Sequence, residues 1–230
     1  MIQYRLPVFE NLCPGWESIS NLGLKRFFVK GSHIFDLETH VNGVFFIKEG
    51  IVDIILYTEH GPEKVLFQVR EGCLFGEISC FVSGANGEAI AIARRDCQLY
   101  FFPRELIEGI IANQFPHLLL ELIQSLAYKI RMYTILLKDS LISDHFIRVC
   151  KMLVYLAVFK GIDPNSSVKK VTIQPDITQN DIARMMGIHR VTVTKAVGRL
   201  KEMGIVLRFS KKILEFSDFP ALCLLADLDE

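Results

Sequence analysis

The apolar residues of this chain change their spacing at Pro103. Before it, short and largely apolar stretches such as 44–48, 51–57 and 63–69 are separated by glycine-containing turns. Several short strands at this spacing predict an antiparallel barrel or sandwich. After Pro103 the apolar spacing becomes helical, so we expect an α+β protein with its strands in the N-terminal half.

The helical part contains a long stretch in which apolar residues recur at alternating steps of four and three. These residues are Leu119, Ile123, Leu126, Ile130, Tyr133, Leu137 and Leu141. The alternation is typical of a coiled-coil seam and predicts a homodimer, and a long helix packed on its own sheet is the alternative. Leu118 and Leu122 lie off the seam, so the helix is expected to contact two partners, for example its own barrel and a second protomer.

The composition narrows the class of protein. The chain has 230 residues, no net charge and 50% hydrophobic residues, which excludes intrinsic disorder and suits one large domain or two small ones. No window reaches the ~18 unbroken apolar residues of a membrane span. Residues 1–5 show no basic region leading into an apolar one. We therefore expect a soluble, cytoplasmic protein with no membrane partner.

The charges are unevenly distributed along the chain. Residues 184–212 contain eight Lys or Arg and one Glu and so carry +7, which leaves −7 on the remainder. A basic segment on a neutral protein indicates a polyanion partner for that segment, and a solvated helix face is the alternative.

The basic segment includes two predicted helices joined by a glycine. Thr178 and Asp181 form a variant capping box that opens the first helix, and Gly187 suits the left-handed turn that ends it. The second helix runs from about residue 190 to 203. The predicted inner faces consist of Ile182, Met186, Val193, Val197 and Leu200. The predicted outer face consists of Arg190, Val191, Thr194 and Lys195. This is a helix-turn-helix whose second helix is placed for the major groove.

Nearly the whole chain resembles the Crp/Fnr superfamily of bacterial transcription factors. The resemblance is carried by Gly72-x-x-Phe-Gly-Glu77, the unbroken helix from Pro116 to Ser143-Asp144, and Gly187-Ile-His-Arg-Val-Thr-Val193. Within the superfamily, residues 189–193 are most similar to regulators of halorespiration (reductive dehalogenation). The resemblance implies an effector-sensing antiparallel β-roll of the cyclic-nucleotide-binding jelly-roll type over 1–115, a dimerisation helix over 116–142, and a winged helix-turn-helix over 143–230.

The resemblance also implies which residues contact double-stranded DNA. Base-reading positions are occupied by Arg190, Val191, Thr194 and Lys195, and phosphate-contacting positions by Thr178, His189, Thr192 and Arg199. Relatives commonly have Glu at the position of Val191, and glutamate accepts from cytosine N4, whereas valine packs on a thymine methyl. We therefore expect an A/T-rich inverted repeat as the target. RNA polymerase is a further partner that the resemblance brings in, although no segment of the sequence identifies a surface for it.

The sensing site departs from the cyclic-nucleotide pattern of the superfamily. That pattern is Gly-Glu followed about ten residues later by Arg-Ser or Arg-Thr, whose arginine neutralises the cyclic phosphate. Gly76-Glu77 is present, but Gly87-Glu88 stands at the Arg-Ser positions, and only a loop shift would bring in Arg94 or Arg95. The resemblance therefore favours a small organic effector, such as a halogenated aromatic compound, over cyclic AMP. The residues implied for it are Gly76, Glu77, Glu88, Ile130, Tyr133 and Thr134.

Three alternatives to this effector stay open. A thiol-redox sensor would use Cys13 or another exposed cysteine among the six, which include no C-x-x-C pair. A haem sensor needs a single axial His or Cys, which leaves no motif. A cupin-like metalloenzyme would need an H-x-H pair, and no histidine pair fits. We expect free thiols, no resident metal or cofactor, and no enzymatic activity.

Overall fold

The computed structural model describes residues 7–38, 41–56, 64–82, 89–141 and 144–226. The chain divides into two units, and the boundary between them falls within one long helix. The first unit runs from Pro7 to Arg131 and the second from Met132 onward. The predicted domain boundaries at 115 and 142 stay a prediction.

The described part of the first unit is built mainly of short strands. These are β1 (Val8–Phe9), β2 (Leu24–Phe28), β3 (His33–Phe35), β4 (Gly43–Glu49), β5 (Ile51–Leu56), β6 (Lys64–Arg70), β7 (Leu74–Phe75), β8 (Ala89–Ala93) and β9 (Cys97–Pro103). A 3₁₀-helix (Pro14–Leu22) follows β1, and α1 (Glu77–Phe81) follows β7. The stretches predicted as strands at 44–48, 51–57 and 63–69 correspond to β4, β5 and β6.

The strands form two sheets, with the orders β1-β6-β5-β8-β3 and β2-β9-β4-β7. Strands β5 and β6 pair antiparallel from Ile51 opposite Arg70 to Leu56 opposite Lys64, whereas β1 and β6 pair in parallel. The predicted antiparallel roll is therefore confirmed, with one parallel pair at its edge.

Trp16 joins the 3₁₀-helix to the core of the roll. It is fully buried, and its ring packs edge-on against Phe102 with the centroids 5.2 Å apart. Its indole N–H donates to the carbonyl oxygen of Leu118 at 3.1 Å. A buried indole contributes a large apolar area and needs a partner for its N–H, so this contact anchors the following long helix to the roll.

The long helix presents two distinct faces. This helix is α4 (Pro116–Ser140). It follows α2 (Arg104–Leu106), a π-helical turn (Ile107–Ile111) and α3 (Ala112–Gln114). Its buried face consists of Leu118, Leu122, Ser125, Lys129 and Met132. The predicted packing of Leu118 and Leu122 against the roll is confirmed. On the predicted seam, Ile123, Ile130 and Leu137 are 60%, 65% and 64% exposed. Leu119 and Leu126 of that seam pack at the edge of the roll core.

The second unit is a winged helix-turn-helix. Its elements are α5 (His145–Phe159), β10 (Val171–Ile173), α6 (Gln179–Met186), α7 (Arg190–Glu202), β11 (Val206–Phe209), β12 (Leu214–Phe216) and α8 (Phe219–Ala226). Its three strands are antiparallel in the order β10-β12-β11. Asp144, one of two predicted caps, accepts the Phe146 N–H at 2.7 Å and begins α5; the other, Ser143, lies outside the described residues.

Within the described residues, no single helix is long and apolar enough to cross a membrane. The segments Arg104–Gln114 and Pro116–Lys138 are long and apolar enough for a membrane span only when taken together, and the chain bends by 119° between them.

Candidate DNA-reading surface and sensing site

The start of α6 is fixed by reciprocal hydrogen bonds between Thr178 and Asp181. The Thr178 hydroxyl accepts the Asp181 N–H at 3.2 Å, and Asp181 Oδ2 accepts the Thr178 N–H at 2.8 Å. The same Oδ2 accepts the Thr178 hydroxyl at 2.9 Å. The predicted capping box is confirmed, and its bonds satisfy amide groups that have no partner within the helix. The Thr178 hydroxyl proton is therefore committed to Asp181.

The turn between α6 and α7 depends on Gly187. Its φ of +64° lies in the left-handed region, which a glycine adopts without steric strain, as the sequence predicted. The Arg148 guanidinium of α5 donates to the carbonyl oxygen of Met186 at 3.1 Å. This bond satisfies a carbonyl at the end of α6 and joins α5 to the turn.

Helix α7 buries one face and exposes the other. Its buried residues are Val193, Ala196, Val197 and Leu200. Arg190, Val191, Thr194 and Lys195 are exposed on its first two turns, and Val191 is 56% exposed. The predicted inward and outward faces are thus confirmed. An exposed arginine, lysine, threonine and valine supply donors, an acceptor and methyl groups, the chemistry with which proteins read base edges.

The predicted phosphate-contacting residues lie around this face. His189 is the N-cap residue of α7 and is exposed, and Thr192 is half-buried in the first turn. The Arg199 guanidinium lies over the Phe146 ring, 4.1 Å from its centroid, in a cation–π contact with α5. Arg199 is thus exposed but held against α5.

Gln179 and the basic residues of the wing also belong to this surface and were not predicted as site residues. The Thr194 hydroxyl donates to Gln179 Oε1 at 2.9 Å, which joins α7 to the first residue of α6. The wing carries exposed Arg208 on β11 and exposed Lys211 and Lys212 between β11 and β12. The Asp176 N–H donates to the Lys211 carbonyl at 3.2 Å. The positive charge of residues 184–212 was the sequence signal for the wing.

In the sensing unit, a buried ion pair forms beneath α4. Gly76, with φ +92°, is the N-cap residue of α1, and Glu77 begins that helix. Lys129 Nζ lies 2.5 Å from Glu77 Oε1 and donates to the carbonyl oxygen of Leu74 at 2.8 Å. Both ionic side chains are almost fully buried. Lys129 was not predicted as a site residue. Its sequence signal was its place on the off-seam face of the helix, seven residues after Leu122.

The remaining predicted effector residues lie on α4 or outside the described residues. Ile130 and Thr134 are exposed on α4, and Tyr133 is half-buried. Glu88 lies outside the described residues. Arg94, considered as a replacement for the missing phosphate-binding arginine, forms an ion pair with the buried Asp53 at 3.1 Å.

Comparison with known families matches two parts of the chain to two different domains. A cyclic nucleotide-binding domain matches residues 25–114, and a Crp-like helix-turn-helix domain matches residues 147–225. The chain belongs to the Crp/Fnr family of transcriptional regulators. The Crp-like helix-turn-helix indicates DNA binding, and the relatives of this Crp/Fnr protein are regulators rather than enzymes, as expected.

Relatives of this Crp/Fnr regulator match most of its length at low identity. The global nitrogen regulator of Synechococcus elongatus is 26% identical over 192 residues, covering 83% of this chain and 84% of the relative. The CRP-like cAMP-activated global transcriptional regulator of Mycobacterium tuberculosis is 26% identical over 187 residues, 81% of each chain. The solved structure of CprK complexed with OCPA superposes with a TM-score of 0.80 at 19% identity, covering 97% of this chain and all of that one. This last likeness supports the fold.

The cysteines of this Crp/Fnr regulator bear on the redox-sensor alternative. A redox sensor was expected to use an exposed cysteine, but all six cysteines are buried. Burial raises the pKa of the Cys13 thiol to about 12 and that of the Cys73 thiol to about 11. A thiol in this state is a poor nucleophile, because the thiolate is the reactive form. The expected free thiols are confirmed, and the redox-sensor alternative lacks the exposed cysteine that it requires.

Metal ligands were not expected, and the described residues contain no cluster of three or more His, Cys, Asp or Glu suited to a metal ion. Four histidines are described, and all four are exposed: His33, His117, His145 and His189. The other two, at 40 and 60, lie outside the described residues.

Proposed function

We propose that this Crp/Fnr protein is a homodimeric, effector-responsive transcription factor that binds an A/T-rich inverted repeat through α7. The observation that carries the proposal is the face of α7 that exposes Arg190, Val191, Thr194 and Lys195 while its opposite face is buried. An exposed helix of this chemistry fits the major groove, and a second copy provides the two-fold symmetry that an inverted repeat requires.

The base preference follows from the side chain at the exposed position 191. Valine has no acceptor for the cytosine N4 amino group, but its methyl groups pack on a thymine methyl. Arg190 and Lys195 can donate to guanine or to phosphate. The remaining base pairs of the half-site are therefore distinguished by Val191 and its neighbours. Thymine or adenine is therefore expected at the base pair that faces Val191.

The phosphate contacts that we propose flank this face. His189, Thr192 and Arg199 lie on or at the start of α7. Thr178 acts through the start of α6, which its capping box with Asp181 fixes. Lys211 and Lys212 of the wing add positive charge beside that start, because Asp176 holds the wing two residues before Thr178. These contacts set affinity and its salt dependence rather than base preference.

The proposed dimer uses the exposed seam of α4. Ile123, Ile130 and Leu137 of the seam are 60%, 65% and 64% exposed, while the neighbouring buried face is occupied by the roll. Large apolar side chains repeated along one helix face are typical of a coiled-coil partner of the same sequence. The helix over 116–142 is therefore proposed as the dimerisation element between the sensing and DNA-binding domains.

The proposed effector is a small aromatic compound rather than cyclic AMP. A cyclic phosphate needs a guanidinium, and Arg94 is engaged by Asp53 in an ion pair. On α4, Lys129 is a buried cation that an anionic group could engage in place of Glu77. CprK, a halorespiration regulator with the same fold, has been solved in complex with o-chlorophenolacetic acid, an anion with a halogenated ring. Such an effector regulates DNA binding only if it binds the DNA-competent state more tightly.

DNA binding is tested by selecting duplexes from a randomised pool with the full-length protein at low ionic strength. We expect an inverted repeat with half-sites ~34 Å apart and an A·T pair opposite Val191. Arg190→Ala should weaken binding of the selected duplex by about 1–3 kcal/mol. Arg95→Ala, an equally exposed arginine in the roll, is the matched control and should bind as wild type. A protein that enriches no sequence, or a G·C pair at the Val191 position, contradicts the proposal.

The effector class is tested by thermal shift with cyclic nucleotides and substituted phenols in parallel. A ligand at ~100 times its dissociation constant adds about 2.7 kcal/mol of stability, enough for a clear rise in Tm. Chlorinated phenols and o-chlorophenolacetic acid are expected to raise Tm and cyclic AMP to leave it unchanged. A rise with cyclic AMP alone contradicts the effector proposed here.

A further inference from the structure

Thr194 and Gln179 form a hydrogen-bonded pair across the two helices of the helix-turn-helix. Thr194 is the fifth residue of α7, and Gln179 is the first residue of α6. The Thr194 hydroxyl donates to Gln179 Oε1 at 2.9 Å, and the bond lies at the protein surface. The hydroxyl proton that would read a base acceptor is therefore already used within the protein.

We propose that Gln179 is a specificity-determining DNA contact and that Thr194 is the positioning residue that orients its carboxamide. The inference rests on the proposed function, because it takes the start of α7 to lie against base edges. It changes the role of Thr194, whose direct contact with a base is replaced by an action through Gln179.

The chemistry of the pair leaves a defined set of groups for DNA. The Gln179 carboxamide keeps two N–H donors on Nε2 and a second lone pair on Oε1. An adenine presents an N6–H donor beside the N7 acceptor in the major groove, and glutamine pairs with both in a bidentate contact. The bond from Thr194 holds Oε1 and Nε2 in one orientation. A flexible side chain fixed before binding loses less conformational entropy when it binds.

The neighbours of Gln179 support this assignment. The side chains of Thr178 and Asp181 in the same turn are joined to each other by the capping box. Gln179 instead reaches across to α7, and so its carboxamide lies beside the side chains of the outward face. The bond to Thr194, 15 residues away in sequence, therefore sets the carboxamide at the outward face rather than within the first turn of α6.

The test is a double-mutant cycle on the duplex selected by the wild-type protein. Gln179→Ala should weaken binding about tenfold, the lower part of the range for a bidentate base contact. Thr194→Val, which keeps the shape of threonine and removes the hydroxyl, should weaken binding to a similar extent. In the Gln179→Ala background, Thr194→Val should change the dissociation constant by less than about twofold, because coupled residues are not additive. Thr194→Ser keeps the hydroxyl and is the matched control, which should bind the duplex as tightly as the wild type.

Base preference provides the readout that a structural role would not affect. Duplex selection with Gln179→Ala and with Thr194→Val should lose preference at the same base pair of each half-site and at no other. Additive losses in the cycle, or loss of preference at two different base pairs, would show that Thr194 reads DNA on its own and overturn the inference alone. Unchanged binding by Gln179→Ala would overturn it as well. A wild-type protein that selects no duplex removes the proposed function and this inference together.

Discussion

Lys129 of the long helix and Glu77 of the β-roll form an ion pair that is almost completely removed from solvent, with Nζ 2.5 Å from Oε1. The Leu74 carbonyl accepts a second hydrogen bond from the same ammonium group. The two charges are thus desolvated together, and each depends on the other for compensation. Because Glu77 directly follows Gly76 of the family motif, the pair connects the proposed sensing site to α4.

Removing only one partner of this pair should be more damaging than removing both. Lys129→Met leaves the Glu77 carboxylate buried without its cation and is expected to cost about 3–5 kcal/mol. Glu77→Met alone should be similarly destabilising, since it leaves the ammonium group with the Leu74 carbonyl. The double variant replaces both charges by apolar side chains and should recover most of the loss. Urea unfolding of the four proteins measures these differences.

The corresponding control is the exposed ion pair between Arg104 and Glu108, which is solvent-accessible on both sides. Its removal should change the midpoint of unfolding little, as is usual for exposed pairs. If the losses from the two buried single variants simply added in the double variant, the proposed interdependence of Lys129 and Glu77 would be wrong.

The contrast between the capping box and this ion pair explains what sequence could predict. Thr178 and Asp181 are three residues apart, so local chemistry was sufficient to identify their bonds. The turn at Gly187 and the strands were likewise predicted from residues close together in the sequence. Lys129 and Glu77 are 52 residues apart in sequence. Only the folding of the roll against α4 brings them together, and heptad spacing alone could not show which partner a buried lysine would find.

Side-chain competition limited the prediction of the DNA-reading surface. The outward positions of α7 followed from its period, because Val193 and Val197 define the opposite face. The period does not show what an outward side chain bonds to, and the resemblance assigned Thr194 to DNA without Gln179. Likewise, a loop shift would have brought Arg94 to a ligand, whereas the structure pairs it with Asp53.

Charge on the exposed seam should dissociate the proposed dimer. Ile123→Glu places a carboxylate at the helix face where two copies are proposed to meet, and the two-fold axis brings the two charges close together. We expect a monomer in analytical ultracentrifugation at concentrations where the wild type is dimeric, with at least tenfold weaker binding of the selected duplex. Gln124→Glu, an exposed neighbour on the same helix, is the control and should remain dimeric. A dimeric Ile123→Glu protein would place the interface elsewhere.

The buried thiols should resist labelling in the native state. With its pKa raised to about 12 by burial, Cys13 is roughly one part in ten thousand thiolate at pH 8. We expect a disulfide reagent such as DTNB to label none of the six cysteines within minutes in native buffer and all six in denaturing urea. Rapid labelling of one thiol without urea would reopen the redox-sensor alternative.

Alkaline pH should destabilise the protein in part through Cys150. Burial raises the pKa of this thiol from 9.0 to about 12, so above pH 9 it ionises in the unfolded chain before it ionises in the folded one. The unfolded state then binds fewer protons, and stability falls as the pH rises, by about 1.4 kcal/mol at pH 10 for one such group. Urea unfolding at pH 8 and pH 10 should show a loss smaller by that amount for Cys150→Ala than for the wild type. Equal losses would contradict the assignment.

The capping box predicts a double effect for Thr178. Thr178→Val keeps the side-chain shape but removes the hydroxyl that accepts the Asp181 N–H, and it should lower stability by about 1 kcal/mol. It should also weaken binding of all duplexes alike, because Thr178 is proposed to act on the DNA backbone, whereas the base contact at this end of α6 is assigned to Gln179. Thr178→Ser retains the hydroxyl and should resemble the wild type in urea unfolding and in fluorescence anisotropy with labelled duplex. A change in base preference with Thr178→Val would mean instead that Thr178 itself contributes to base reading.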